Sequence, residues 1–501
     1  MFDILAPLLK DGYKVGHKFQ YPSDTRMVYT NNTARKSRLP GVDEAVVFGY
    51  QYAVEEYLIR QFNRTFFQRP LDEVMKRYRR RITNYLGPDA ITFDHIEALH
   101  KLGYLPLMVK AIPEGTLVPT RVPMFTIRNT KPEFFWLTNM LETLISCVTW
   151  GPINSATIAF NYRKVFEHYA TLTGGAKEFV QWQGHDFSFR GMFGLEAAVT
   201  SGAAHLLSFT GTDTIPAIDF LEEYYGANSD HELIGGSVPA TEHSVMCMGG
   251  DSNEIETFRR LITQVYPKGI VSIVSDTWDF WKVMTEYLPT LKPEILARDG
   301  KVVIRPDSGD PVDIICGSPS DSGPVGKGAI HVLWEIFGGT VNKAGYKELD
   351  PHIGLIYGDS ITPQRQVEIL DKLKAKGFAS TNVVLGIGSY TYQMNTRDTL
   401  GQAMKATYGE TSRGPQNIYK DPKTDDGTKK SATGLLCVKR VPTYSPRDKG
   451  WPKEEGSTLV CYEKCSWADE ESGLLQPIFI DGKVHNFQTL SRIRQRIKEQ
   501  L

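Results

Sequence analysis

The chain has 501 residues, 41% of them apolar and 23% charged, with 57 Lys and Arg against 58 Asp and Glu. That length suits two or three globular domains with a sizeable core, and a net charge of −1 excludes the overall basic character of a protein that holds nucleic acid by charge. Any anion site therefore has to be local.

Met1 to Pro7 lacks a basic leader region, and no apolar run approaches the ~18 residues of a membrane helix, so a cytoplasmic protein with no membrane partner is expected. Six cysteines, Cys147, Cys247, Cys316, Cys437, Cys461 and Cys465, lack the paired spacing of a zinc site and read as reduced thiols. The basic run Lys76 to Arg81 interrupts an amphipathic pattern with Val74, Tyr78 and Ile82 on one side, which a solvated helix face explains better than a nucleic-acid patch. Met108 to Ile112 and Met124 to Ile127 read as short strands.

From about residue 179 one pattern repeats: a β-rich run, a polar or glycine-bearing tip, then a helical stretch. Phe179 to Trp182 leads to Gly184–Gly191, and Leu206 to Phe209 leads to Gly211–Thr214. Gly236–Ser244 sets His243 directly after Glu242 in what reads as a loop leaving a short strand, where a histidine can shuttle a proton or accept a phosphoryl group. Val271 to Val274 ends at Asp276, Val302 to Ile304 at Arg305–Gly309, Ile353 to Tyr357 at Gly358 and Asp359, and Val383 to Leu385 at Gly386–Gly388. Between the last two, Ile361 to Lys376 reads as a helix with Thr362 as N-cap, Pro363 in the first turn, a Glu368/Lys372 pair, an apolar side of Val367, Leu370 and Leu373, and Gly377 as its stop.

Gly317–Pro324 and Asp421–Thr433 read as polar loops; beyond them Thr458–Tyr462 and Ile478–Val484 return to strands, with a hairpin signal at Asp481-Gly482, before a terminal helix from Thr489 to Leu501. The pattern predicts an α/β fold, either a (β/α) barrel or a doubly wound sheet, over residues 151–400. Residues 1–150 and 401–501 then combine into a discontinuous, β-rich second domain.

In either fold the site lies at the carboxyl ends of the strands. Those tips carry Asp186, Arg190, Asp213, His243, Asp276, Arg305, Asp307 and Asp359, many beside glycines. Aspartate and glycine also collect in loops simply as turn formers. Arg190 and Arg305 suit bidentate capture of phosphate, interleaved aspartates suit Mg²⁺, and Phe187 and Phe189 offer a face to a planar ring. A phosphorylated, metal-chelated substrate follows. No Walker loop, dinucleotide glycine fingerprint or zinc protease motif is present.

Asp11–His17, Gln20–Pro22, Trp136–Asn139, His185–Gly191, Gly211–Thr214, Ser237–Ser244, Ile304–Gly309, Gly358–Asp359 and Thr396–Asp398 together resemble the nicotinamide phosphoribosyltransferases of the type II phosphoribosyltransferase family, over nearly the whole chain. The resemblance implies an irregular (β/α) barrel with a discontinuous second domain, a homodimer with shared active sites, and transfer of phosphoribose from phosphoribosyl pyrophosphate to nicotinamide, giving nicotinamide mononucleotide for NAD salvage. It implies that Phe187 and the partner's Tyr13 sandwich the pyridine, that Asp213 accepts from the carboxamide, and that Arg190 and Arg305 hold phosphate or pyrophosphate. Asp307, Gly358, Asp359, Gly388, Ser389 and Arg397 are expected around the ribose phosphate, with Arg35, Lys405 and Lys420 binding phosphates from the second domain. Asp276 is expected beside the developing sugar cation, Mg²⁺ on the leaving group with its ligands unassigned, and ATP as a coupling substrate that phosphorylates His243, with Glu242 orienting it.

The chain departs from the family pattern at Gly386–Tyr392, where a longer glycine run is usual, at Ser188, where glycine is usual, and at Gly358–Thr362. Three rivals remain: a nicotinate phosphoribosyltransferase, a Mg²⁺-dependent barrel phosphohydrolase that releases phosphate without a pyridine, and a binding module without catalysis.

Overall fold

The computed structural model describes residues 3–424, 430–444 and 455–501. The chain forms two compact units, one of residues 1–157, 223–227 and 395–500 and the other of 158–222, 228–394 and 501.

The second unit is built on six parallel strands: β1 (Gly184–Asp186), β2 (Gly211–Thr212), β3 (Val271–Val274), β4 (Val302–Arg305), β5 (Ile353–Tyr357) and β6 (Val383–Ile387). Their order is β2-β1-β6-β5-β4-β3. The segment between β2 and β3 joins both edges. Thr212 donates to the Gly236 carbonyl at 3.0 Å on one side, and Thr241 donates to the Ser272 carbonyl at 3.0 Å on the other, so a seventh stave completes an irregular ring of staves in chain order. A parallel sheet whose neighbours in sequence are neighbours in space is the barrel solution, not the doubly wound one, which reverses strand order.

The staves are short because both faces must be apolar: β3 is wholly buried, as are Ile353, Leu355, Val383, Leu385 and Ile387. Helix Pro363–Ala375 follows the expected chemistry, with the Thr362 hydroxyl accepting from the Arg365 N–H, Glu368 and Lys372 paired at 3.3 Å and Gly377 at φ +76°. Its buried face is Gln366, Ile369, Leu370 and Leu373; Val367 points outward, one position off the stripe expected from the sequence.

Four other local expectations are corrected. Residues 180–183 are helical and the strand starts at Gly184, so the apolar run is a helix turn packed beside β1. Leu206–Phe209 is the turn after helix Leu195–His205, and the strand is confined to Gly211–Thr212. Short apolar runs do not distinguish a buried turn from a strand. His243 opens a helix, His243–Gly249, instead of sitting in a loop. The first polar stretch is non-helical over 317–322, but its last two residues open helix Gly323–Lys327; the second contains residues 425–429, which lie outside the described residues.

The first unit centres on a seven-stranded antiparallel sheet that takes strands Thr25–Ala34, Leu107–Ala111 and Pro123–Asn129 from the start of the chain, and Gln402–Thr411, Gly414–Asn417, Gln476–Ile480 and Lys483–Val484 from its end. Asp481 and Gly482, at φ +48° and +85°, make the tight hairpin that the Asp-Gly pair signals. The basic run lies on helix Leu71–Leu86, with Val74, Tyr78 and Ile82 buried.

Candidate active site

Each stave of the barrel ends in one or two polar residues on the same rim, because strand side chains alternate and the carboxyl ends open onto the loops. β1 delivers Asp186 and then Phe187, Ser188 and Arg190; β2 delivers Asp213; the closing stave delivers Thr241 and His243; β3, β4, β5 and β6 deliver Asp276, Arg305 with Asp307, Gly358 with Asp359, and Gly388 with Ser389.

Asp186 is fully buried and organises two of these tips. Its Oδ1 accepts from the Ser188 N–H at 2.9 Å and hydroxyl at 2.6 Å, and its Oδ2 accepts from the Thr214 hydroxyl at 2.7 Å. The serine that replaces the usual glycine is thus a ligand of a buried carboxylate, and Asp186 is a structural anchor. Phe187 is half-buried, with its ring 4.6 Å from that of His185, and the glycine at 386 lets the ring lie where a Cβ would come within 2.6 Å. Phe189 and Arg190 are exposed.

Asp213 sits beside this aromatic pair. Its Oδ1 takes hydrogen bonds from His185 Nε2 at 2.8 Å and the Ser237 hydroxyl at 2.9 Å, and among the described residues none bonds Oδ2. Burial opposes ionisation of Asp213, but the His185 and Ser237 bonds and the charge of Arg305 outweigh it and hold the carboxyl below its usual range.

On the opposite staves His243, Asp276 and Asp307 form a cluster, each offering a ligand atom within 4.8 Å of the others. His243 Nε2 lies 3.9 Å from Asp276 Oδ1 and 4.0 Å from Asp307 Oδ2, while its Nδ1 bonds the Thr277 hydroxyl at 3.0 Å. Glu242 bonds Ser244, so Thr277 and not Glu242 orients the imidazole. Asp276 Oδ2 accepts from the Asp307 N–H at 2.9 Å, which ties the β3 and β4 tips together. Arg305 donates to the Thr241 carbonyl and lies 3.6 Å from Asp307 Oδ1.

Among the described residues, the buried oxygens Asp276 Oδ1 and Asp307 Oδ1 and the buried Arg305 Nε have no hydrogen-bond partner. Two orphaned carboxylate oxygens on adjacent tips fit a hard divalent cation such as Mg²⁺, which is held by one or two carboxylates plus phosphate and water oxygens. Burial pushes the Asp307 carboxyl up; Arg305 and His243 oppose this, and Asp276 and Asp359 add to it. Gly358 is required here, since a Cβ would stand 2.1 Å from Asp307 Oδ1. Likewise Gly191 lies where a Cβ would meet the Ser389 hydroxyl at 1.9 Å, bringing the Arg190 turn against the tip of β6.

The remaining expected residues lie in the other unit. Tyr13 is 65% exposed, with Lys14 Nζ 5.1 Å from its ring; Arg35 Nε donates to the Gly401 carbonyl at 3.1 Å; Arg397 lies 3.6 Å from Asp398; Lys405 lies 3.5 Å from Glu142; Lys420 is exposed. His185, Ser237, Thr241 and Thr277 are site residues that sequence reasoning passed over. His185, Ser237 and Thr241 carried a signal as members of the quoted motifs; Thr277 acts through a partner distant in sequence.

Residues 182–453 match the nicotinate phosphoribosyltransferase (NAPRTase) family. The chain is 51% identical over 504 aligned positions to a nicotinamide phosphoribosyltransferase of Acinetobacter baylyi, covering 98% of this chain and 96% of that one. It belongs to the nicotinate phosphoribosyltransferase family. A nicotinamide phosphoribosyltransferase of Xanthomonas campestris is 34% identical, over 97% of this chain and 96% of its own. Among solved structures, nicotinate-nucleotide pyrophosphorylase from Pyrococcus furiosus superimposes with a TM-score of 0.58 at 14% identity, over 99% of this chain and 95% of that one. Human nicotinic acid phosphoribosyltransferase gives 0.52 at 14%, over 98% and 93%. These two likenesses establish the shared barrel-plus-sheet fold.

Proposed function

We propose that this family member transfers phosphoribose from phosphoribosyl pyrophosphate to nicotinamide, forming nicotinamide mononucleotide and pyrophosphate in NAD salvage. The observation that carries the choice of pyridine is the ionised Asp213 beside Phe187 and His185. Its Oδ2 suits the NH₂ of a carboxamide and repels the carboxylate of nicotinate. The relatives over the full chain, named nicotinamide phosphoribosyltransferases, support the same choice.

In the reaction the bond from the anomeric carbon to pyrophosphate oxygen breaks and a bond from that carbon to the pyridine nitrogen forms. The aromatic nitrogen carries no proton, so no general base is needed at the ring. Phe187 holds the pyridine by its face, with Tyr13 of a second copy on the other side, and Asp213 sets the in-plane orientation. Arg190 and Arg305 neutralise the leaving pyrophosphate, and Asp276 faces the sugar as positive charge develops. Asp276 and Asp307 are the residues that would hold Mg²⁺, which when bound offsets charge on the pyrophosphate oxygens. Gly358, Asp359, Gly388, Ser389 and Arg397 surround the ribose phosphate, and Arg35, Lys405 and Lys420 add cations to the phosphates.

His243 serves as a phosphoryl acceptor. With Nδ1–H donated to Thr277, the Nε2 lone pair faces the rim and attacks the γ-phosphorus of ATP, with ADP leaving. The phosphohistidine places further negative charge beside Asp276 and Asp307, the residues that would hold Mg²⁺, and its attack by water, releasing phosphate and free His243, couples ATP hydrolysis to synthesis. A homodimer is supported by apolar side chains exposed near the rim, including Phe193 at 90%, Met248 at 91% and Ile215 at 71%, which a monomer would leave in water. No helix among the described residues is long and apolar enough to cross a membrane. A cytoplasmic location remains part of this proposal.

The test is product analysis with phosphoribosyl pyrophosphate, Mg²⁺ and either pyridine, with and without ATP. Nicotinamide is expected to yield its mononucleotide; none from nicotinamide would overturn the reading. His243→Ala is expected to keep slow ATP-independent turnover and lose ATP stimulation, and equal stimulation in both proteins would remove the phosphohistidine.

A further inference from the structure

The first unit contains a cavity of about 430 Å³ that the catalytic chemistry does not use. Its apolar floor includes Leu5, Leu8 and Ile82, and its wall carries Lys10, Arg77, Arg80 and Arg81. Of the four cations only Arg77 has a carboxylate partner among the described residues, Asp3 at 3.0 Å. Among the described residues Lys10 Nζ bonds only the Tyr78 hydroxyl, at 3.1 Å, and burial pushes its ammonium down to about 7. Helix Leu71–Leu86 thus turns one side of its basic run onto an apolar hole, a placement the sequence alone assigns to plain solvent.

We propose that this cavity is a binding site for a phosphate monoester with a ring-sized uncharged body. Two arginines without carboxylate partners among the described residues, joined by Lys10 when it is protonated, suit a dianion, and a phosphate monoester carries roughly −1.5 to −2 at neutral pH, with oxygens that arginine forks match. The volume exceeds that of a bare phosphate, and the apolar floor has no use for one; together they call for an attached ring. A bound dianion also relieves the cost of a buried ammonium and restores the Lys10 charge.

If Tyr13 of a second copy faces the pyridine, as proposed above, the site is linked to that position through the chain that carries Tyr13. Tyr85 lines the cavity and packs on Gly12 so closely that a Cβ there would stand 2.0 Å from its hydroxyl. Gly12 directly precedes Tyr13. Occupancy that moves Tyr85 would shift the backbone that carries Tyr13, so the proposed site is regulatory on that reading.

The test uses 1-naphthyl phosphate as probe, with 1-naphthol and inorganic phosphate as separate arms, in titration calorimetry on the full chain. Because Arg80 and Arg81 are exposed, Arg80→Gln/Arg81→Gln is expected to fold normally. The double variant is expected to weaken probe binding by about tenfold or more, the worth of charge-assisted bonds, while Arg305→Gln, in the barrel, leaves this binding event in place. Both arms are expected to bind at least about tenfold more weakly than the probe. Binding that is absent, unchanged in the double variant, or lost in Arg305→Gln would overturn the site. For the regulatory part, the probe is expected to change the nicotinamide KM of the wild type and not of the double variant; an equal change in both would overturn it. Failure of the calorimetric test leaves the phosphoribosyltransferase reading intact, since that rests on product formation.

Discussion

The hydroxyl of Tyr392 lies 2.7 Å from Nδ1 of His205, and His205 Nε2 lies 3.0 Å from the Gly211 carbonyl. Because a carbonyl can only accept, Nε2 carries the ring proton and Nδ1 accepts from Tyr392. A buried three-member chain thus ties the turn after β6, with Gly388 and Ser389, to β2, which carries Asp213. The turn after β6 is thereby held by a buried side chain.

Tyr392→Phe is expected to leave a buried imidazole acceptor unsatisfied, lowering unfolding free energy by about 1–3 kcal/mol in urea titration. The same variant is expected to raise the phosphoribosyl pyrophosphate KM more than the nicotinamide KM. A stability loss with both KM values unchanged would make the chain purely structural.

Asp213→Asn keeps an oxygen that can accept from His185 and Ser237 but removes the negative charge. Discrimination between nicotinamide and nicotinate, measured as the ratio of kcat/KM values, is expected to fall by about tenfold or more, the scale of one repulsive charge contact in a partly buried site. An unchanged ratio would place selectivity elsewhere.

Proton and cation compete for Asp307, whose carboxyl burial raises. A raised carboxyl takes up its proton at higher pH than an ordinary one, so cation binding is lost earlier as pH falls. The Mg²⁺-induced rise in Tm is expected to be full near neutral pH, to shrink as pH falls and to be lost at a higher pH than for an ordinary aspartate, and to be largely absent in Asp307→Asn. The same Mg²⁺ increment in that variant would exclude the cluster as the cation site.

Burial pushes His205 down to about 4 and His95, with Lys10 and Lys18 adding to the effect, down to about 3. Both fall below the unfolded value of about 6.5, so the unfolded chain binds these protons first. Stability is expected to be full above about pH 6.5 and to drop as pH falls towards 4, with a shallower drop in His205→Gln. Tm measured across that window checks it; a flat profile would contradict buried neutral imidazoles.

Much of the barrel was legible because its signals are local. Glycine or aspartate after each apolar run marked the carboxyl ends of β3 to β6, and Thr362, Pro363 and Gly377 bounded a helix correctly. The failures at residues 179–182 and 206–209 share one cause. Four apolar residues bury equally well as a strand or as a helical turn, and only their neighbours in space decide between them.

Residue order by itself determined that Asp276, Arg305, Asp307 and Asp359 would lie at or just after strand ends, since side-chain type and turn chemistry are written locally. Only the tertiary structure decided that Gly236–Thr241 bridges β2 to β3, that Thr277 rather than Glu242 orients His243, and that Arg80 and Arg81 face a cavity. Ring closure, hydrogen-bond choice and cavity formation depend on which distant segments meet, and that is set by the packing of the whole core.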